Sequence, residues 1–441
     1  MTLIVLAMAV LALTCAGFAA YRNRNWHDLS KYEKLVGIYV VLIIGWPQVM
    51  TFLIAPLLWT KAESAGPLHP TLWYLPSFAF AAVYFLHGLF AEGSRFDLAA
   101  LLQYSSIAIS LTFLMVGSMR TSDIAKLAIP MTLLLVTLVK PTDIRGSAAV
   151  GWGCRASLVL ILGAVLAAVL VNPGRVLESC RLDKCGIAGE TMTSPFAGNG
   201  NILGLAVAMI IPFAIANIDV LSAFSILAAV GLTAEIAGGR TAEVGIVTAG
   251  LLVIFLWLMP SQRRPILITG FATALAFSIV PAIYPFGGSQ FTFRGYLWNE
   301  ARLAIADRPV LGSGPTAWFT MAQTSIHNLN YSPHNGWLDI TLSIGLTGLL
   351  VLVVAVAVKF YLADNPERDT LLFYFTTLLA ISALESIYVP YLLAILPFVA
   401  ILPFLGGPGR PVGYVEEKAR KHEVAGRHRA MSGKGTDGNS Q

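Results

Sequence analysis

Among the seven histidines of this 441-residue chain, His334 stands at the entry of an apolar run, after Pro333 and before Asn335. Imidazole titrates near pH 6.5, so a histidine can act as a base close to neutrality. The same position also suits a cap or a structural hydrogen bond, and the residue alone leaves both roles open. Arg240 lies in the short linker 237–241 between two apolar runs, where a charge is expensive unless it is used. Arg294 stands near the outward end of another run. A guanidinium keeps its charge and grips phosphate oxygens as a two-pronged fork. Arg302 and Arg308 follow in the same segment and read as headgroup contacts, with Arg302 kept as a candidate substrate contact. Asn199, Asn201 and Asn335 precede apolar runs and fit helix caps. A helix N-terminus also attracts anions, so the same asparagines are candidates for substrate binding. Asp339 falls one turn after Asn335, placed to orient His334 or to meet the helix dipole. Glu243 reads as an ion-pair partner for Arg240.

The elements that must position these groups are membrane spans. Hydrophobic residues make up 56% of the chain and charged ones only 12%, about half the charge of a soluble domain. The solvent for most of this chain is lipid. Apolar runs of about 20 residues cross a bilayer as helices. Thirteen candidates lie near 2–20, 36–59, 73–90, 98–117, 124–139, 151–171, 201–219, 221–238, 243–259, 266–285, 336–358, 371–388 and 391–406. The runs are continuous rather than alternating, which excludes a β-barrel. The expected fold is all-α, a polytopic transmembrane helical bundle of 12–13 spans.

Orientation follows from the basic residues. With the loop 21–35 placed in the cytoplasm, most Lys and Arg fall inside, including Arg22, Arg24, Arg263, Arg264 and the basic tail. The N-terminus then lies outside, and the loops 172–200 and 286–335 face outward. The net charge of +5 reads as this bias and not as a nucleic-acid surface. The expected division is an extra N-terminal span with its basic loop (1–35), a bundle (36–285), an outward loop carrying the chemistry (286–335), closing helices (336–406) and a disordered basic tail (407–441). Within the outward loop, Leu297, Ala301, Ala304 and Ile305 recur at helical spacing, which predicts a short amphipathic helix on the membrane surface, ended by Arg308-Pro309. Gly312-Ser-Gly-Pro315 then reads as a turn or an open backbone loop.

Cys180 and Cys185 face the oxidising side in this topology, where a local disulfide and two free thiols are both open. No Gly-rich phosphate loop with Lys-Ser/Thr and no His-Glu-x-x-His occurs, and no paired carboxylates have metal spacing. The chain is expected to need no cofactor and no metal.

Several pieces together resemble a family. They are Arg294-Gly-Tyr-Leu-Trp298, Ala306-Asp-Arg-Pro-Val-Leu-Gly-Ser-Gly314, and Pro333-His-Asn335 opening a helix with Gly345-Leu-Thr-Gly348. Gly198-Asn-Gly-Asn201 and Gly239-Arg-Thr241 at span ends add to them. Over about 195–360 the chain is similar to O-antigen ligases and the related polysaccharide polymerases. The resemblance implies a helical, GT-C-like membrane fold. It also implies transfer of a glycan from an undecaprenyl diphosphate carrier to an acceptor hydroxyl, on the outer face of the bacterial cytoplasmic membrane. The implied partners are that donor, a glycan or lipid acceptor such as lipid A–core, and membrane lipids.

Such a transfer has two needs. Charge gathering on the departing diphosphate must be stabilised, and the accepting hydroxyl must lose a proton. The resemblance assigns the base to His334 and the charge stabilisation to Arg240 and Arg294. Ligase and polymerase share these features. A transporter is the alternative from another class, but no repeat between halves supports it.

Overall fold

The computed structural model describes the whole chain except residues 1, 25, 62–63, 65–67, 91–93, 117–120, 142–145, 181–185, 197–199, 315–317, 319–331, 388–396 and 407–441. Asn199, Cys185 and the basic tail lie outside the described residues. The rest is almost wholly helical: α1 (Thr2–Arg22), α2 (Lys31–Leu58), α3 (Leu68–Phe90), α4 (Leu98–Val116), α5 (Thr121–Leu138), α6 (Gly146–Val171), α7 (Asn201–Ala214), α8 (Val220–Ala237), α9 (Arg240–Leu258), α10 (Arg263–Ile283), α11 (Arg294–Asp307), α12 (Gly336–Leu362) and α13 (Asn365–Ser382). Two antiparallel pairs of three-residue strands complete it: β1 (Ser94–Phe96) with β2 (Val139–Pro141), and β3 (Leu177–Ser179) with β4 (Glu190–Met192).

Among the described residues, eight helices are long and apolar enough to cross a membrane: α1, α2, the stretch 72–90 of α3, α6, α8, α9, α10 and α12. Shorter apolar helices at 98–109, 128–138 and 201–214 lie where further spans are expected. Local chemistry sets the ends. Ser30 and Glu33 close a reciprocal capping box at the start of α2. Asp219 caps α8 and Asp364 caps α13 through their carboxylates. A left-handed Gly238 ends α8, the conformation that glycine adopts without a β-carbon clash.

Contacts between helix ends sort them onto two faces. On one face, Arg22 at the end of α1 meets Asp219 at the start of α8 at 2.9 Å. Arg263 meets Asp369 at 2.9 Å, and the buried Lys359 meets Glu367 at 2.8 Å and the Gly406 carbonyl at 3.2 Å. On the other face, Thr2 reaches Glu190, the first residue of β4, and Glu235 near the end of α8 accepts a hydrogen bond from the Ile187 N–H. The starts of α7, α9 and α12 and the ends of α10 and α13 share this second face.

α13 has a charged first turn, yet everything from Thr370 to Ser382 is buried. It is the central helix, packed between α7, α9 and α10. α12 is broken at Gly345 (φ 65°, ψ −176°). The segment after α11 is fastened into that break. Ser313 N–H donates to the Leu342 carbonyl at 2.7 Å, Leu346 N–H to Pro309 at 2.8 Å and Thr347 N–H to Val310 at 3.1 Å. A β-carbon on Gly345 would lie 2.2 Å from the Val310 oxygen, so only glycine fits. The stretch 309–313 is thus a strap that satisfies backbone groups freed by the kink.

The expected helix after residue 294 is present, but it is not a surface helix. Its face of Gly295, Leu297, Trp298, Ala301 and Ala304 is buried, and its apolar residues pack against Trp318, Leu338 and Leu342. Trp298 is the largest fully buried side chain among the described residues and turns the helix inward.

Candidate active site

The second face carries a cluster of charged groups where α11, α12 and α13 converge. His334 directly precedes Asn335, the N-cap of α12. Its φ of 52° is left-handed, a conformation that costs a residue with a β-carbon roughly 1–2 kcal/mol. Strain of this kind persists only where surrounding contacts enforce it. Here the His334 N–H donates to Ser386 Oγ at 3.1 Å, and the ring Nδ1 lies 2.7 Å from Glu385 Oε1. The second carboxylate oxygen of Glu385 lies 3.8 Å from an Arg294 guanidinium nitrogen. Glu385 therefore joins an imidazole to a guanidinium.

Glu385 sits beyond the last turn of α13 and is 8% exposed. Burial pushes its carboxyl group up. The His334 imidazole, the Arg294 guanidinium and the Ser386 N–H outweigh that, and hold it below the usual carboxylate range. An ionised Glu385 fixes the imidazole with its proton on Nδ1, which leaves the lone pair on Nε2.

Asn335 holds the cluster in place. Its side-chain oxygen accepts from the Trp337 and Leu338 N–H groups, both at 3.1 Å. Its amide nitrogen lies 3.0 Å from the Ser278 carbonyl and 3.3 Å from those of Ser382 and Ala383. One side chain thus knots the start of α12 to the ends of α10 and α13. It is wholly buried, so its side chain ties helices together, which is the capping role also expected of it. Trp337 adds a second tie, donating from Nε1 to Ser278 Oγ at 2.8 Å.

Three other candidates are placed differently from expectation. The ring of His334 is oriented by Glu385 and not by Asp339. Asp339 is buried one turn into α12 and hydrogen-bonded to Ser386. Through Ser386 it supports the His334 backbone. Arg302 is engaged by the protein itself. Its guanidinium donates to the Pro281 carbonyl at 2.9 Å and the Tyr284 carbonyl at 2.8 Å, capping the end of α10, and it also meets Asn299. Asn201 is the first helical residue of α7, and Gly200 takes the cap position. A β-carbon at Gly200 would lie 2.4 Å from the Ala237 oxygen, so the close approach of α8 requires glycine there.

Arg240 opens α9 and is exposed; among the described residues it makes no hydrogen bond or ion pair, and the expected pairing with Glu243 is not formed. Gly204 of α7 packs against Ala242 and Gly239, so α7 and α9 present their N-termini side by side. Arg240 thus shares the face of the His334 cluster, because α9 and α10 form a hairpin and the end of α10 contacts Asn335.

Glu385 is the residue that sequence reasoning missed. The signal was present: a lone carboxylate inside the expected span 371–388 is costly unless it has a partner.

Residues 221–353 match the family model described as O-antigen ligase. No curated protein and no solved structure matches the chain. The matched stretch holds Arg240, Arg294, Arg302, His334, Asn335 and Asp339, while Asn199 and Asn201 precede it and Glu385 follows it. Helices of membrane-spanning length and apolarity carry this domain and converge on its histidine. The chain is thus a polytopic, almost wholly helical membrane protein that is similar to the O-antigen ligase family over residues 221–353.

Proposed function

We propose that the chain moves a glycan from an undecaprenyl diphosphate carrier to an acceptor hydroxyl of lipid A–core or another envelope acceptor. The reaction takes place on the outer face of the bacterial cytoplasmic membrane. The observation that carries the reading is the His334–Glu385–Arg294 cluster at the rim of the helical bundle. Nε2 of His334 takes the proton of the acceptor hydroxyl. The acceptor oxygen bonds to the anomeric carbon, the bond from that carbon to the diphosphate breaks, and undecaprenyl diphosphate leaves. Glu385 stabilises the imidazolium that forms. Arg294 and Arg240 receive the charge on the departing diphosphate, which a fixed cation stabilises more in the transition state than in the ground state.

The segment 286–335 supplies Arg294 and His334, and so acts as the catalytic loop. The opposite face carries Arg22, Arg263, Lys359 and Arg368, which supports its placement in the cytoplasm.

The test is transfer in proteoliposomes with defined lipid-linked glycans. His334→Asn suits it, because asparagine tolerates the left-handed backbone. The expected loss is on the order of 10² to 10⁴ in rate. Full turnover by a folded His334→Asn protein would sink the reading.

A further inference from the structure

The three residues before Arg294 share an unusual backbone. Phe291, Thr292 and Phe293 all have positive φ, at 53°, 59° and 65°. None is glycine, and residues with β-carbons avoid this region. Phe293 is the N-cap of α11 and offers no side-chain hydrogen bond to the helix. Helix capping therefore does not explain its identity. The left-handed turn instead presents two rings. Phe291 is anchored edge-on to Phe286 at 5.1 Å and tilted against Trp298 at 5.3 Å, yet stays 50% exposed. Phe293 is 65% exposed.

Exposed aromatic rings on a membrane protein ordinarily face lipid, but the level of these two argues against that. Arg302 caps the last turn of α10, and the strap after α11 enters the middle of α12 at Gly345. The C-terminal end of α11 thus points toward the bilayer. Its N-terminal residue Arg294 precedes Arg302 by eight residues, about 12 Å along the helix and away from that end. Phe293 is also bonded directly to Arg294, whose guanidinium reaches Glu385. The rings stand beside the charged site, in a segment that also carries the polar Ser289, Gln290 and Thr292.

We propose that Phe291 and Phe293 form a stacking platform for the sugar rings of the lipid-linked donor, in a subsite next to its diphosphate. The assignment rests on the transfer reading given above. A diphosphate held at Arg294 sends its sugars outward, past the adjoining rings. A pyranose offers a face of C–H groups of slight positive charge, which matches the negative face of an aromatic ring. Phenylalanine supplies that match without fixing hydroxyl stereochemistry.

The experiment uses the full chain in nanodiscs and compares undecaprenyl diphosphate bearing an oligosaccharide with the same carrier bearing one sugar. Phe293→Leu keeps apolar character and removes the ring. It is expected to raise KM for the oligosaccharide donor about tenfold, with a smaller rise for the single-sugar donor and no rise for the acceptor. Phe293→Tyr, which restores the ring, should recover most of that loss. A wild-type donor KM for Phe293→Leu would overturn the platform and leave lipid contact as the role of the ring. A rise confined to the acceptor would overturn it as well. Titrating the oligosaccharide donor onto His334→Asn protein, with and without Phe293→Leu, reads the platform independently of turnover. If His334→Asn turned over normally, the transfer reading would fail, while the binding difference would still decide the platform.

Discussion

Glu385→Gln keeps the shape of the carboxyl group and removes its charge, so it separates positioning of His334 from charge stabilisation. The amide still meets Nδ1 but no longer favours the imidazolium. Transfer by Glu385→Gln should fall by about 10² or more, and Glu385→Asp should recover part of it. Equal rates for wild type and Glu385→Gln would remove Glu385 from the mechanism. A second outcome concerns acid. The folded chain holds Glu385 below its ordinary carboxylate value. Its ion pairs therefore stabilise the fold fully above that ordinary value, and that stabilisation is lost as pH falls through the lowered one. The melting temperature of Glu385→Gln should approach that of wild type as the medium is acidified through that window. A constant gap at all pH values would show that the charge does not matter. Asn335→Ala removes two cap bonds and leaves three buried carbonyls without their donor. We expect a loss of roughly 2 kcal/mol or more, read as a lower melting temperature in detergent.

At the scale of the element, the kink in α12 and the strap that fills it act as one unit. Gly345 and Gly312 approach closely, both with positive φ, and each would place a β-carbon within 2.6 Å of the other strand of backbone. Gly345→Ala meets both the left-handed penalty and the clash with Val310. It should lower stability by more than about 1–2 kcal/mol. The double variant with Gly312→Ala should lose less than the sum of the two single losses, because both break the same contact. Strict additivity in melting experiments would show that strap and kink are independent. The unit matters for function because α11 leads directly into the strap. It fixes the far end of the helix whose first residue is Arg294.

At the scale of the whole molecule, the two faces are a firm geometric result, and their assignment to sides of a membrane is testable. Ser289 lies on the site face and Ser261, between α9 and α10, on the other; both are exposed. In a background with all four native cysteines replaced, a membrane-impermeant maleimide added outside whole cells should label Ser289→Cys and spare Ser261→Cys. The reverse pattern would put the His334 cluster in the cytoplasm, away from an outward-facing donor.

Composition, the continuous apolar runs and the bias of basic residues were enough to establish a helical membrane bundle, because each depends only on local transfer free energy. His334, Arg240 and Arg294 were legible as candidates because their chemistry and their places at span ends are visible in one dimension. Tertiary structure decided what each polar side chain meets. Glu385 lies 51 positions after His334 and pairs with it because α13 returns to the same rim. Asn335 was open as a cap or a substrate contact and Arg302 as a headgroup or substrate contact; folding brought helix-end carbonyls within reach of their amide and guanidinium groups. Periodicity marked α11 as amphipathic, but not whether its apolar face would meet lipid or Trp318 and Leu342. Only packing separates those choices, because lipid and protein interior are nearly equivalent solvents for an apolar side chain.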